Sequence, residues 1–201
     1  MLAICVPVRD TVMTGFSLSL ARLTAHLAET KIPFELLMEN NSILVQGRER
    51  LYEQALMHKA TQILWLDSDM MFPRDIYHVL NSHKESVVAA TYSTRVRPYK
   101  SVAFTDEADY SKRLENTSGL HAVDSVGMGL MLIDVNVMFQ LDRPLFKFMW
   151  IDSLKTYAGE DLTFCNAIRD AGFDIFVDCD LSKECAHIAT GVVTMDMVGS
   201  K

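Results

Sequence analysis

Residues 62–73 read QILWLDSDMMFP, and the fold class turns on how that stretch is understood. After Gln62 the run to Leu66 is short and wholly apolar, the pattern of a strand covered on both faces. It stops at two carboxylates, Asp67 and Asp69, separated by Ser68, and apolar residues then resume. If the strand continues through them, residues two apart point the same way with Cα atoms about 6–7 Å apart, so both carboxylates converge. Converging carboxylates repel each other. A hard divalent cation, Mg2+ or Mn2+, would relieve that repulsion, with phosphate oxygens and water completing its shell. The alternative is that the acidic pair caps a helix opening at Pro73, where the missing N–H is harmless. The stretch alone leaves both readings open.

On either side the pattern is one of alternating elements. Leu2–Val8 is a continuous apolar run, and Phe16, Leu20, Leu23 and Leu27 then recur at helical spacing. Phe34–Met38 reads as a second strand, and residues 46–59 as a helix with Leu51, Ala55 and Leu56 on one face. Ser86–Tyr92 follows as a strand. Strands alternating with helices imply an α/β fold, a single Rossmann-like domain over 1–201 whose central sheet is mostly parallel with helices on both faces. Residues 93–122 are polar and irregular, apart from an extended piece at 102–104, and are expected to face substrate. Leu130–Ile133 restores a strand; residues 142–158 are irregular and aromatic. Asp161–Ala171 reads as a helix closed by Gly172, and Phe173–Val177 as the last strand.

A chain of 201 residues suits one domain, which at that size buries roughly 70% of its unfolded surface. The formal net charge of -7 argues against a duplex nucleic acid as partner. A small anionic ligand stays open, because a bound divalent cation supplies positive charge locally. No segment approaches the ~20 apolar residues of a membrane span. Cys5, Cys165, Cys179 and Cys185 form no CxxC pair and read as reduced, buried thiols of a cytoplasmic protein.

Further segments carry chemistry. Glu160 and Asp161 open a helix, where the macrodipole favours a carboxylate held ionised as a base, or where acidic residues merely stabilise the first turn. His187, just beyond the last strand, suits either a metal or the core. Its spacing to Cys179 and Cys185 matches no compact zinc pattern. Gly127 and Gly129 precede a strand instead of opening a helix, so they are no dinucleotide fingerprint; they allow a tight turn or a close approach.

Taken in order, these segments resemble the GT-A type, family 2-like, D-x-D containing glycosyltransferases. The resemblance rests on the first strand with Pro7, QGRERLYEQAL (46–56), LWLDSDMMFP (64–73), VVAATYSTRVRPY (87–99), VGMGLMLID (126–134), GEDLTFCNAIRDAGFDIFVD (159–178) and AHI (186–188). It spans residues 1 to 190. It implies a metal-dependent hexosyltransferase moving sugar from a UDP- or GDP-sugar to an acceptor hydroxyl, with residues 1–92 the nucleotide half and 93–201 the acceptor and catalytic half. Asp69 would coordinate Mn2+ or Mg2+, His187 would be a further ligand, and Asp67 would contact the ribose or the ion's water shell, with Ser68 as the spacer. Arg48 would lie near the nucleotide or diphosphate. Pro7, Val8 and Arg9 would line the base and ribose pocket, and Gly127 and Gly129 would let backbone approach donor sugar or acceptor. In an inverting member the base would be Asp161, with Glu160 second.

Glu39-Asn40-Asn41 departs from the usual acidic residue after the second strand, which leaves the base unread. The acceptor could be a sugar, a lipid-linked sugar, a protein or a modified base. Its site would be built from residues 93–122 and 142–158, or across a homo-oligomer. A non-catalytic nucleotide- or sugar-binding module is the competing reading. A sugar nucleotidylyltransferase would need a Gly-rich basic loop where PVRDTVMTG (7–15) offers one glycine.

Overall fold

The computed structural model describes residues 1–106, 109, 111–152, 155–189, 192–195 and 198. Residues 107, 108, 110, 153 and 154, inside the two stretches expected to face the acceptor, lie outside them.

Every residue of β1 (Leu2–Val8) is buried, because the sheet around it is covered twice. Ala3 and Cys5 join one core with Leu51, Trp65 and Phe164; Leu2, Ile4 and Val6 join the other with Phe16, Leu23 and Leu27. The first half then runs α1 (Thr14–Glu29), β2 (Phe34–Asn40), α2 (Leu44–Met57), β3 (Gln62–Leu66), β4 (Met70–Met71), α3 (Ile76–Ser82) and β5 (Val87–Ala89). The second half continues with β6 (Ala103–Phe104), β7 (Leu120–Val123), β8 (Ser125–Val126), β9 (Leu130–Asp134) and α4 (Val135–Met138). It closes with β10 (Met149–Ile151), β11 (Thr156–Ala158), α5 (Glu160–Asp170), β12 (Ile175–Asp178), α6 (Cys179–Glu184), β13 (Ala186–Ile188) and β14 (Val192–Thr194).

The central sheet has the order β2-β1-β3-β9-β5-β12-β7. Strands β2, β1, β3, β5 and β12 run one way, while β9 and β7 run against their neighbours. The sheet is therefore mostly parallel, as expected, with α2, α4 and α5 packing on one face and α1, α3 and α6 on the other. An apolar run carries no direction: β9 lies antiparallel between β3 and β5 because the short segment Gly127–Gly129, and no crossover helix, leads into it from β8. Pro73 does not start a helix. Its carbonyl accepts from the Ile76 N–H at 3.3 Å in a turn, and α3 begins at Ile76.

Two short pieces place the site. β13 pairs antiparallel with β4, setting His187 opposite Met70, directly after Asp69. α6 is capped by the Asp178 carboxylate, which accepts from the N–H groups of Asp180 and Leu181, and its Ser182 hydroxyl accepts from Thr91 N–H at 2.9 Å. That bond anchors the chain leaving β5 just before Tyr92 and Ser93.

Candidate active site

Because β1, β2 and β3 are parallel, their C-terminal ends meet along one edge, where ligands of open α/β sheets gather. A cavity of about 330 Å3 lies there, lined by Pro7, Val8, Arg9, Glu39, Asn41, Ser42, Leu44, Gly47, Asp67, Ser68, Asp69 and Arg95. Of the nucleotide-pocket candidates, Pro7, Val8, Arg9 and Ser68 line it; Arg48 does not, but is bonded to Asp67, which does. Glu39 is held by Arg50 at 2.9 Å, and Asn41 accepts from Ile43 N–H at 2.8 Å.

The acidic pair departs from the geometry expected of it. β3 ends at Leu66, and the Met70 N–H donates to the Asp67 carbonyl at 3.1 Å, closing a turn. Three backbone bonds from distant segments hold this turn. Asp67 N–H donates to the Gly129 carbonyl at 3.0 Å, Met13 N–H to the Ser68 carbonyl at 3.0 Å, and Ile188 N–H to the Asp69 carbonyl at 2.9 Å. A turn abolishes strand alternation, so Ser68 is no spacer on a flat strand and the two carboxylates take different partners.

Asp67 faces Arg48. That guanidinium is only 1% exposed, donates through Nη2 to Asp67 Oδ1 at 3.0 Å, and holds Glu160 with Nε 3.5 Å from Oε1. It also lies over the Trp65 ring, 5.5 Å from the centroid. Burial works against the charged guanidinium, yet Asp67 and Glu160 hold it firmly protonated. Asp69 faces His187 and Arg95. The Arg95 Nε donates to His187 Nε2 at 2.8 Å, its Nη2 donates to Asp69 Oδ2, and Asp69 Oδ2 lies 3.6 Å from His187 Nε2. His187 Nδ1 donates to the Ser93 carbonyl at 2.8 Å, which fixes the proton there and leaves the Nε2 lone pair facing the site. Burial pushes the Asp69 carboxyl up, but the Arg95 guanidinium on its Oδ2 outweighs it and holds Asp69 below the usual carboxylate range.

At the start of α5 the two carboxyl groups differ. Glu160 is tied to Arg48. Asp161 accepts from the Leu162 N–H at 2.8 Å and folds back over Gly159, where an added Cβ would sit 2.6 Å from Asp161 Oδ1. Burial raises both carboxyls; for Asp161 the Leu162 N–H and Arg48 offset this only in part, and Asp67 adds to it. The result is a half-buried carboxylate with an elevated pKa at a helix start.

Tyr92 and Arg95 are the residues that sequence reasoning passed over. The buried Tyr92 hydroxyl accepts from Gly129 N–H at 3.1 Å, and its ring meets the His187 ring edge-on with centroids 5.1 Å apart. An added Cβ at Gly127 or Gly129 would lie 2.5 or 2.7 Å from that hydroxyl, so the close approach the two glycines permit here is by the phenol. Both residues lay within TYSTRVRPY, but nothing in one sequence separates Arg95 from Arg97.

Among the described residues no three His, Cys, Asp or Glu side chains converge as a cation cage. Asp69 and His187 nevertheless fit a divalent ion as a pair. Two ligands each about 2.1 Å from one ion can be at most about 4.2 Å apart, and these are 3.6 Å apart with a cationic guanidinium already on both. The buried thiols Cys5, Cys165, Cys179 and Cys185 are free and pushed up by burial, so they offer no thiolate.

A mostly parallel seven-stranded sheet with this site at its carboxyl edge defines a GT-A type fold. Comparison with solved structures agrees on the fold. The crystal structure of A197 from STIV superposes with a TM-score of 0.65 at 16% identity, covering 98% of this chain and 91% of that one. That of S. aureus TarS 1–349 in complex with UDP-GlcNAc gives a TM-score of 0.51 at 15% identity, covering 89% of this chain and 56% of that one. No protein-family model matches the sequence, and no curated protein matches it. No helix among the described residues is long and apolar enough to cross a membrane.

Proposed function

We propose that this chain is a glycosyltransferase that uses a nucleoside-diphosphate sugar, UDP- or GDP-linked, with residues 1–92 binding the nucleotide and 93–201 carrying acceptor and base. The observation that carries the reading is Asp161: a half-buried carboxylate with raised pKa, next in the chain to Glu160, which Arg48 links to Asp67 on the acidic turn that borders the cavity. The binding of UDP-GlcNAc by TarS, of the same fold, supports the choice of ligand class.

In this reading Pro7, Val8 and Arg9 flank the base and ribose. Asp67 keeps one oxygen on Arg48 and offers the other to the ribose or to a cation's water. Asp69 and His187 hold Mn2+ or Mg2+, which when bound offsets charge on the departing diphosphate. For an inverting transfer Asp161 takes the acceptor's hydroxyl proton as the acceptor oxygen bonds to C1 of the sugar and the C1–O bond to the diphosphate breaks. Glu160 is engaged by Arg48, which leaves the base role to Asp161.

The test is Asp161→Asn in the full chain. Turnover of UDP-GlcNAc or another nucleotide sugar should fall by about 10²–10⁴ while UDP binding stays the same. Near-normal turnover would remove Asp161 from the base role. Excess chelator should likewise abolish turnover by the native chain.

A further inference from the structure

We propose that Arg95 is a resident counter-cation: in the ligand-free chain its guanidinium occupies the Asp69–His187 pair, excludes a divalent cation while it stays, and swings into the cavity when the ion binds. The inference rests on the reading of Asp69 and His187 as cation ligands.

Exclusion follows from counting lone pairs. The imidazole of His187 has one proton and one lone pair. The proton is on Nδ1, engaged by the Ser93 carbonyl at 2.8 Å, and the lone pair on Nε2 receives the Arg95 Nε–H at 2.8 Å. One lone pair serves the arginine or a metal ion, not both. Asp69 Oδ2 accepts from Arg95 Nη2, so one edge of the guanidinium bridges the same two atoms, 3.6 Å apart, that an ion would bridge. The ligand pair is already assembled around a cation.

Release is also built in. The Arg95 side chain is 54% exposed, whereas Asp69 and His187 are 16% and 11% exposed, so the arginine approaches from solvent onto a seated pair. Its segment is held at both ends, by the Ser93–Ser101 bridge and by Thr94 N–H donating to the Lys100 carbonyl at 2.8 Å. The side chain can therefore leave without loss of the backbone that positions His187. Arg95 also lines the cavity beside Asp67 and Asp69, which puts a freed guanidinium next to an anionic ligand there. A nucleoside diphosphate thus has two ways to favour the ion: its oxygens complete the ion's shell, and its charge attracts the arginine that the ion displaces.

The experiment is Mn2+ binding to the full chain without nucleotide, read from the electron paramagnetic resonance signal of free Mn2+. Arg95→Gln should bind Mn2+ up to about fivefold more tightly than the native chain, the scale of a partly exposed ion pair. Arg95→Lys, which keeps the charge but loses the two-pronged edge, should fall between, and it replaces the glutamine variant if thermal unfolding shows that variant misfolded. The double variant Arg95→Gln with Asp69→Asn should lose the gain. If Arg95→Gln and Arg95→Lys bind Mn2+ no more tightly than the native chain while Asp69→Asn weakens it, the counter-cation role is overturned and the ligand pair stands. If none of these chains binds Mn2+ at millimolar concentration, both the role of Arg95 and the cation reading of Asp69 and His187 are overturned.

Discussion

Arg48 and Arg95 each join two groups of the same site, in opposite environments. Arg48 is sealed between Asp67, Glu160 and the Trp65 ring at 1% exposure, while Arg95 reaches in from solvent at 54% exposure to span Asp69 and His187. A buried guanidinium has no water to replace a lost partner, so Arg48 must stay where it is. An exposed one exchanges partners at little cost. The sealed junction ties the acidic turn to the start of α5; the open junction is where a ligand can intervene.

The sharpest way to break this contrast is Arg48→Ala. It leaves Asp67 and Glu160 without their buried cation, and urea unfolding should show a loss of about 3–5 kcal/mol. A loss below about 1 kcal/mol would mean the junction is not sealed. Gly127→Ala comes next: its Cβ would meet the Tyr92 hydroxyl at 2.5 Å, and overpacking of this kind costs about 1–3 kcal/mol. Tyr92→Phe in the same chain should recover part of the loss. Arg95→Ala should change stability by less than about 1 kcal/mol, as for other exposed ion pairs.

The smallest effect, and the one that best sharpens the contrast, is pH. Asp161 and Glu160 have raised pKa values, so the folded chain binds more protons there than the unfolded one. Their contribution to stability is present at low pH and is lost as pH rises from the ordinary carboxylate range, about 4, through the raised folded values. Asp69 is lowered, so its contribution is present above that range and lost as pH falls through its depressed value. Unfolding measured across pH should therefore show Asp161→Asn removing a decline on the rising side and Asp69→Asn removing a loss on the acid side. Under the base role proposed for Asp161, the raised carboxyl would place the acid limb of the transfer rate above the ordinary carboxylate range, because a base works only when deprotonated.

Much of the frame was legible because it is set locally. The run Gln62–Leu66 is a strand with the expected limits, and α5 starts within one residue of Asp161 because an acidic first turn and Gly172 mark its ends. The direction of β9 was not legible, since apolar residues look alike whichever way a strand runs. Nor was the fate of the acidic pair. Whether Asp67 and Asp69 lie on a strand or a turn is decided by bonds to Met13, Gly129 and Ile188, far away in sequence. His187 was found through its motif, but its tautomer depends on the Ser93 carbonyl, and Arg95 and Tyr92 gain their meaning only once β13 lies against β4.

The central claim is that a nucleoside diphosphate and a divalent ion meet at this cavity, and thermal unfolding of the native chain with UDP or GDP and Mn2+ tests it most directly. A ligand at a hundred times its Kd adds about 2.7 kcal/mol, which for a chain of this size raises Tm by about 5–10 °C. The account predicts that rise in the native chain and its loss in Asp69→Asn. A native chain whose Tm is unmoved by either nucleotide with Mn2+ would contradict it.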